Sequence, residues 1–327
     1  VGGSTALEDV TALVRAELVQ VNRLVEEALM PERSELRALL GHVSGFRGKQ
    51  LRPALCLLVG KALGGLRPAH LKVGAILEMI HSATLIHDDI LDGALVRRNL
   101  ASLHSVYGHE VSVLIGDYIY ARAFQMSVEL PDTRCSRLLA EITRIVCQGE
   151  VTQILHRYDL DMSENLYLEV IGEKTASLYG AAGELGAAYA GGEEGLCSRM
   201  RDFGYQLGLA FQIIDDCLDV EGEESIVGKS LGTDFGKGKL TLPFLYFLRS
   251  LSAAERAEFD RILREGNPAE RQRVLMERFD LSEGLAYAHR AADACLKRAL
   301  GRLEGLPPSE ELEALRTMTD FVLNRRR

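Results

Sequence analysis

The stretch Ile86-His87-Asp88-Asp89-Ile90-Leu91-Asp92 sets three carboxylates in an apolar run, and Val96-Arg97-Arg98 follows at once. Asp88 and Asp92 are four apart, so on a helix they stack on one face. Like charges stacked this way repel, and apolar flanks make each costly to desolvate. A cation resolves that conflict. Hard oxygen ligands suit Mg²⁺, which keeps several waters and takes one or two carboxylates together with substrate phosphate oxygens. The pattern recurs in Gln212-Ile213-Ile214-Asp215-Asp216-Cys217-Leu218-Asp219, with the same Asp-Asp-x-x-Asp spacing. Two such clusters, far apart in the chain, read as two walls of one metal site. Two solvated acidic helix ends are the plainer alternative, but the helix macrodipole disfavours carboxylates at a C-terminus. Asp88, Asp89, Asp92, Asp215, Asp216 and Asp219 are thus candidate ligands for about two or three Mg²⁺ ions, which would neutralise charge developing on a diphosphate leaving group.

Basic residues surround this acidic centre. In Gly48-Lys49-Gln50-Leu51-Arg52-Pro53, Lys49 and Arg52 are three apart at an expected helix start, and Gly48 lets a ligand approach the backbone closely. Helix N-termini favour anions, so this stretch suits a phosphate not held by metal, although an ordinary basic helix start reads the same way. His81 lies two helical turns before Asp88, on the same face. A lone histidine on an apolar helix is more often a satisfied core residue; beside Lys49 and Arg52 it becomes a phosphate donor. Arg97 and Arg98 offer forked guanidiniums for phosphate oxygens. Lys174-Thr175 opens an apolar helical stretch, and Lys229 and Lys239 flank a Gly-rich segment. Each alone is unremarkable. Together they describe a site for two diphosphates.

The elements that must hold these residues are helices. Apolar residues recur at threes and fours almost throughout, giving expected helices over 6–30, 31–40, 49–63, 69–91, 111–130, 133–156, 164–189, 194–220, 242–251, 253–264, 268–278, 282–303 and 310–324. Both Asp clusters fall near helix C-terminal ends. Residues 41–48 read as a loop, and 95–107 as irregular and basic. From Glu221 through Lys239 the chain holds five glycines and three lysines, the signature of a mobile loop. Strand signals are nearly absent, so the expected fold is all-α, with residues 1–327 forming one domain. The chain has 327 residues, 47% of them hydrophobic, and a formal charge of −9. That balance argues against nucleic acid as a partner. Six scattered cysteines without a Cys-x-x-Cys pair fit a reducing compartment. No apolar run is long enough to cross a membrane, and the protein is expected to be soluble and cytoplasmic.

These motifs together resemble the trans-polyprenyl diphosphate synthases, from about Gly45 to the C-terminus. The two aspartate-rich motifs match Asp88 to Asp92 and Asp215 to Asp219, and the Gly-Lys-Arg-x-Arg-Pro motif matches Gly48 to Pro53. The arginine pair matches Arg97-Arg98, the Lys-Thr motif Lys174-Thr175, and the Phe-Gln lead-in Phe211-Gln212. The Gly-Lys loop matches Gly228-Lys229 through Gly238-Lys239. The stretch from Ile115 to Met126 is similar to long-chain, octaprenyl-type members. The resemblance implies a helical bundle around a deep central cavity, usually a homodimer. It implies that Asp88, Asp92 and Asp215 coordinate Mg²⁺ while Asp89, Asp216 and Asp219 complete the clusters. The allylic diphosphate would meet Arg97, Lys174, Lys229 and Lys239. Isopentenyl diphosphate would meet Lys49, Arg52, His81 and Arg98, with Thr175 and Gln212 lining the reacting region. Two departures stand out: Gln50 where the family usually has Arg, and Asn99 where a Gly usually follows the arginine pair. Losing one positive charge at Gln50 is expected to weaken isopentenyl binding rather than abolish activity.

The implied activity is head-to-tail condensation of isopentenyl diphosphate onto an allylic diphosphate such as farnesyl or geranylgeranyl diphosphate. Ala83 and Thr84 sit one turn above the first cluster, where short-chain members usually carry a bulky aromatic. Small residues there imply an open tunnel and a hexaprenyl to decaprenyl product, with a quinone side chain as its destination. A shorter-chain farnesyl or geranylgeranyl synthase is the alternative. A class I terpene cyclase normally mixes Asn, Ser or Thr with Glu in its second metal motif, unlike Asp215 to Asp219. A non-catalytic synthase subunit usually loses one Asp cluster, and both are intact here.

Overall fold

The computed structural model describes residues 10–31, 33–44, 48–97, 100–221, 233–268 and 270–324. It is all-α. After a 3-10 turn at Ala12–Val14, the helices are α1 (Arg15–Ala28), α2 (Glu35–Ser44), α3 (Leu51–Leu63), α4 (Pro68–Asp92), α5 (Leu103–Tyr107), α6 (His109–Val128), α7 (Arg134–Leu155) and α8 (Glu164–Ile171). A π-helical turn over Gly172–Ala176 joins α8 to α9 (Ser177–Ala190). Then come α10 (Glu194–Glu221), α11 (Thr233–Gly236), α12 (Leu242–Leu248), α13 (Ala253–Arg264), α14 (Arg271–Arg278), α15 (Ser282–Gly301) and α16 (Glu310–Asn324).

Local chemistry sets the ends that matter. Pro68 starts α4, where its missing N–H costs nothing. Gly93 stops it in the left-handed region at φ +58°, directly after Asp92. The centre of the bundle is α9, whose Ala/Gly-rich sequence is buried on nearly every side. It packs most extensively against α10, and also against α3. Small residues make that close crossing possible: a Cβ at Gly183 would overlap the Met200 carbonyl, and one at Gly204 the Tyr179 carbonyl. On the other side, α4 packs against α6, α3 and α1. An aromatic part of the same core joins α11 to its neighbours. The Phe235 ring lies tilted 4.8 Å from Phe244 and edge-to-face 5.6 Å from Phe259, and all three are fully buried.

Four sequence expectations change. Helix α2 runs through Gly41 to Ser44, so the expected loop from Gly41 is shorter. The expected helix at 49–63 begins at Leu51, after Gln50 takes a left-handed backbone at φ +51°, which leaves Lys49 just outside it. In place of an irregular 95–107 there is a two-residue antiparallel hairpin, Val96–Arg97 with Leu100–Ala101, followed by α5. The expected continuous helix over 164–189 carries the π turn at its middle, so Lys174 and Thr175 sit inside a helical column rather than at its start. Single π turns of this kind are frequent at functional sites.

Candidate active site

The first cluster closes α4. Asp89 is 2% exposed and turned inward, where Arg97 Nε donates to its Oδ1 at 2.8 Å and a second guanidinium nitrogen reaches the same oxygen. Burial outweighs that pairing and holds the Asp89 carboxyl above its ordinary range. Asp88 points elsewhere. Burial pushes it up to about 6, with Lys174 opposing and Glu150 and Asp92 adding to the rise. Asp92 receives Lys239 Nζ at 2.8 and 3.1 Å from its two oxygens. Burial works against its charge, yet Lys239, then Lys237 and Lys174, hold it below the usual carboxylate range.

The second cluster lies near the end of α10. Asp216 is 5% exposed and accepts from Tyr167 Oη at 2.6 Å and from Gln212 Nε2 at 2.8 Å. Burial, reinforced by Asp234, still pushes it up to about 7, although both hydrogen bonds pull it back. Asp219 is 2% exposed and accepts from the Asp234 backbone N–H at 3.3 Å. Asp215 is half-buried beside Asp216.

Two bridges connect the clusters. Lys239, 7% exposed, meets Asp92 and lies 3.6 Å from Asp234, whose backbone reaches Asp219. The π turn makes the second. Its Lys174 Nζ lies 2.5 Å from Glu150 and donates to Gln153 at 2.9 Å, within the field of Asp88. Its Thr175 Oγ1 donates to Gln212 Oε1 at 2.8 Å, and Gln212 in turn holds Asp216. Burial would lower the Lys174 pKa, but Asp88 and Glu150 hold it above the ordinary lysine range.

The basic helix start is arranged differently. Arg52 lies over the Tyr179 ring, 4.4 Å from its centroid, and its buried Nε has no hydrogen-bond partner among the described residues. Lys49 Nζ sits 5.4 Å from the Phe321 ring centroid. Gln50 is committed to α1, exchanging amide hydrogen bonds with Asn22 at 3.3 and 2.5 Å. His81 is half-buried on α4, and its carbonyl accepts the Thr84 hydroxyl at 2.7 Å. Ala83 is fully buried. Arg98, Lys229 and the Asn99 departure lie outside the described residues.

Four residues of this site escaped the sequence reading: Tyr167, Glu150, Asp234 and Arg157, whose Nη2 lies 3.5 Å from Asp92. None belongs to a spaced motif. Lys237, 3.7 Å from Asp92, was visible only as one lysine of the Gly-rich segment. The donor set fits a hard divalent cation. All candidate ligands are carboxylate oxygens, and burial raises Asp88 and Asp216 above the ordinary carboxylate range, a cost that a bound cation would relieve. Among the described residues no three His, Cys, Asp or Glu side chains form a ready-made cage.

The chain belongs to the polyprenyl synthetase family, the trans-polyprenyl diphosphate synthases, whose family model matches residues 33–278. It is a prenyltransferase of the polyprenyl diphosphate synthase type. It is 31% identical over 321 residues to the octaprenyl diphosphate synthase of Escherichia coli K12, covering 98% of this chain and 99% of that protein. A Caulobacter crescentus polyprenyl synthase, solved with calcium and isoprenyl diphosphate, matches with a TM-score of 0.91 at 36% identity, covering 98% of both chains. A decaprenyl diphosphate synthase from Rhodobacter capsulatus matches with a TM-score of 0.90 at 32% identity, covering 98% of this chain and 99% of that one. Relatives at similar identity include nonaprenyl, heptaprenyl and geranylgeranyl diphosphate synthases. Among the described residues no helix is long and apolar enough to cross a membrane.

Proposed function

We propose that this chain condenses isopentenyl diphosphate onto an allylic diphosphate, farnesyl or geranylgeranyl diphosphate, to make a long-chain polyprenyl diphosphate in the hexaprenyl to decaprenyl range. One observation carries the site reading: the π turn sets Lys174 beside Glu150 within the field of Asp88, and links Thr175 through Gln212 to the second cluster. The two motifs therefore act on one substrate headgroup. Asp88, Asp92 and Asp215 would hold Mg²⁺, with Asp89, Asp216 and Asp219 in support. The ions supply electrophilic pull on the diphosphate and charge neutralisation as it leaves.

The chain's own residues do the rest. Lys174, Lys239, Lys229 and Arg97 hold the allylic diphosphate and steady the pyrophosphate as the C–O bond ionises. Arg97 does so from a pose fixed by Asp89. Lys49, Arg52, His81 and Arg98 hold isopentenyl diphosphate so that its double bond faces the allylic cation. Thr175 and Gln212 line the reacting region. The proton lost after attack goes to the departing pyrophosphate. Gln50, engaged with Asn22, makes no claim on the isopentenyl headgroup, which accords with weaker binding rather than lost chemistry. Ala83 and Thr84 set the upper wall of the product tunnel. The chain works as one unit, and a homodimer buries the apolar residues that α6 and α7 leave exposed, among them Leu114, Val128, Val151 and Leu155.

The test is an elongation assay with farnesyl diphosphate, labelled isopentenyl diphosphate and Mg²⁺, resolving dephosphorylated products by length. A ladder ending sharply beyond geranylgeraniol is expected. A product no longer than geranylgeraniol would move the chain to the short-chain alternative. Light scattering on the purified protein, expected at twice the chain mass, checks the dimer.

A further inference from the structure

Three cations converge on the single carboxylate of Asp92. Lys239 lies at 2.8 Å, Arg157 at 3.5 Å and Lys237 at 3.7 Å. Asp234 shares part of this charge, 3.6 Å from Lys239, and Asp88 lies in the field of the same lysine. Arg157 also keeps a buried Nε that has no hydrogen-bond partner among the described residues. Three converged cations with an unspent donor, beside a carboxylate expected to turn to metal, suit an anion.

The backbone has been arranged to produce this convergence. Tyr158 takes a left-handed conformation at φ +64°, unusual for an aromatic residue. It donates its N–H to the Gly238 carbonyl at 2.8 Å. Gly238 is itself at φ +75°, and a Cβ there would come within 2.6 Å of the Tyr158 ring. Arg264 locks the pose from behind, donating to the Tyr158 carbonyl at 2.8 Å with its guanidinium 5.6 Å from the ring centroid. The Arg157-Tyr158 segment is thereby set in register with Lys237-Gly238-Lys239. Strained backbone of this kind persists only where its surroundings over-determine it, and it gathers at ligand clamps.

We propose that Arg157 and Lys237, aligned by the Tyr158–Gly238 contact, are further diphosphate-binding residues that join Lys239 in a three-cation cradle for the allylic diphosphate and the departing pyrophosphate. This rests on the synthase reading above and extends it to two residues to which the family resemblance assigned no role. Without ligand the three cations occupy Asp92. When Asp92 turns to metal, Arg157 and Lys237 lose that partner and gain the diphosphate oxygens. Arg157 suits the forked geometry of two oxygens on one phosphate, and Lys237 acts as a point charge.

Inorganic pyrophosphate and Mg²⁺ are the probes, followed by calorimetry on the full chain. Arg157→Gln and Lys237→Gln are each expected to weaken pyrophosphate binding in Mg²⁺ by roughly tenfold, the usual scale for one charge-assisted contact. Mg²⁺ binding without pyrophosphate should stay equal or tighten, because each substitution removes a competitor for Asp92. Arg157→Lys should recover part of the loss. Gly238→Ala should weaken pyrophosphate binding without changing any charge. Pyrophosphate affinities within twofold of the wild type would overturn the cradle, and so would parallel loss of Mg²⁺ and pyrophosphate binding, the mark of a merely structural role. Failure here leaves elongation by the wild type untouched. A wild type that bound pyrophosphate through these residues but did not elongate would keep the cradle and remove the synthase reading.

Discussion

The Tyr167 hydroxyl donates to Asp216 Oδ2 at 2.6 Å, and both residues are almost fully buried. This donor favours the ionised carboxylate against a burial that pushes it up to about 7. Tyr167→Phe should therefore raise the Asp216 pKa further. The acid limb of the kcat/KM profile should move up by about one unit or less, with a loss of about fivefold or less near pH 7. A profile of unchanged shape would show that Asp216 does not titrate in the working enzyme.

Asp216 also makes a stability prediction for metal-free protein. Its folded pKa, about 7, lies above the ordinary 3.8. Through that window the folded chain binds a proton that the unfolded chain has released, so stability falls as pH rises. Asp88, raised to about 6, acts in the same direction. In chelator, the thermal midpoint should drop between pH 5 and pH 8, and Asp216→Asn should flatten the slope. Equal slopes in the two proteins would refute this account.

Asp92 is the meeting point of metal and lysine in the proposed mechanism. Asp92→Ala should lower kcat by about a hundred- to a thousandfold while the far-ultraviolet circular dichroism stays that of the wild type. A loss of less than tenfold would assign Asp92 to charge balance alone.

The crossing of α9 and α10 sets the spacing between the π turn and the second aspartate cluster. Gly183→Ala forces the Met200 carbonyl away and should cost about 1–3 kcal/mol, the usual price of overpacking. Urea denaturation would read this as a lower midpoint. An unshifted midpoint would mean that the helices separate without strain.

Ala83 is fully buried one turn above Asp88. Ala83→Tyr should shorten the product to farnesyl or geranylgeranyl diphosphate, read by product chromatography, with circular dichroism checking that the fold survives. An unchanged product distribution would exclude Ala83 from the tunnel wall.

The residue pattern alone settled a good deal. Spacing by threes and fours made an all-α chain legible, because a buried helical face leaves that period in any sequence. Asp88 to Asp92 and Asp215 to Asp219 were legible because stacked carboxylates in apolar surroundings have no cheap structural excuse. The tertiary structure decided what spacing cannot express. The π turn at Gly172–Ala176 depends on how the helical column meets its neighbours, so a helical period ran straight through it. Tyr167, Glu150, Asp234 and Arg157 belong to no motif, and they matter only because packing brings them to Asp216, Lys174, Lys239 and Asp92. Gln50 looked like a missing charge, and only the fold gave its side chain a partner in Asn22. Local patterns record what each segment buries; contacts between distant segments leave no such period, and here those contacts select which charges share one site.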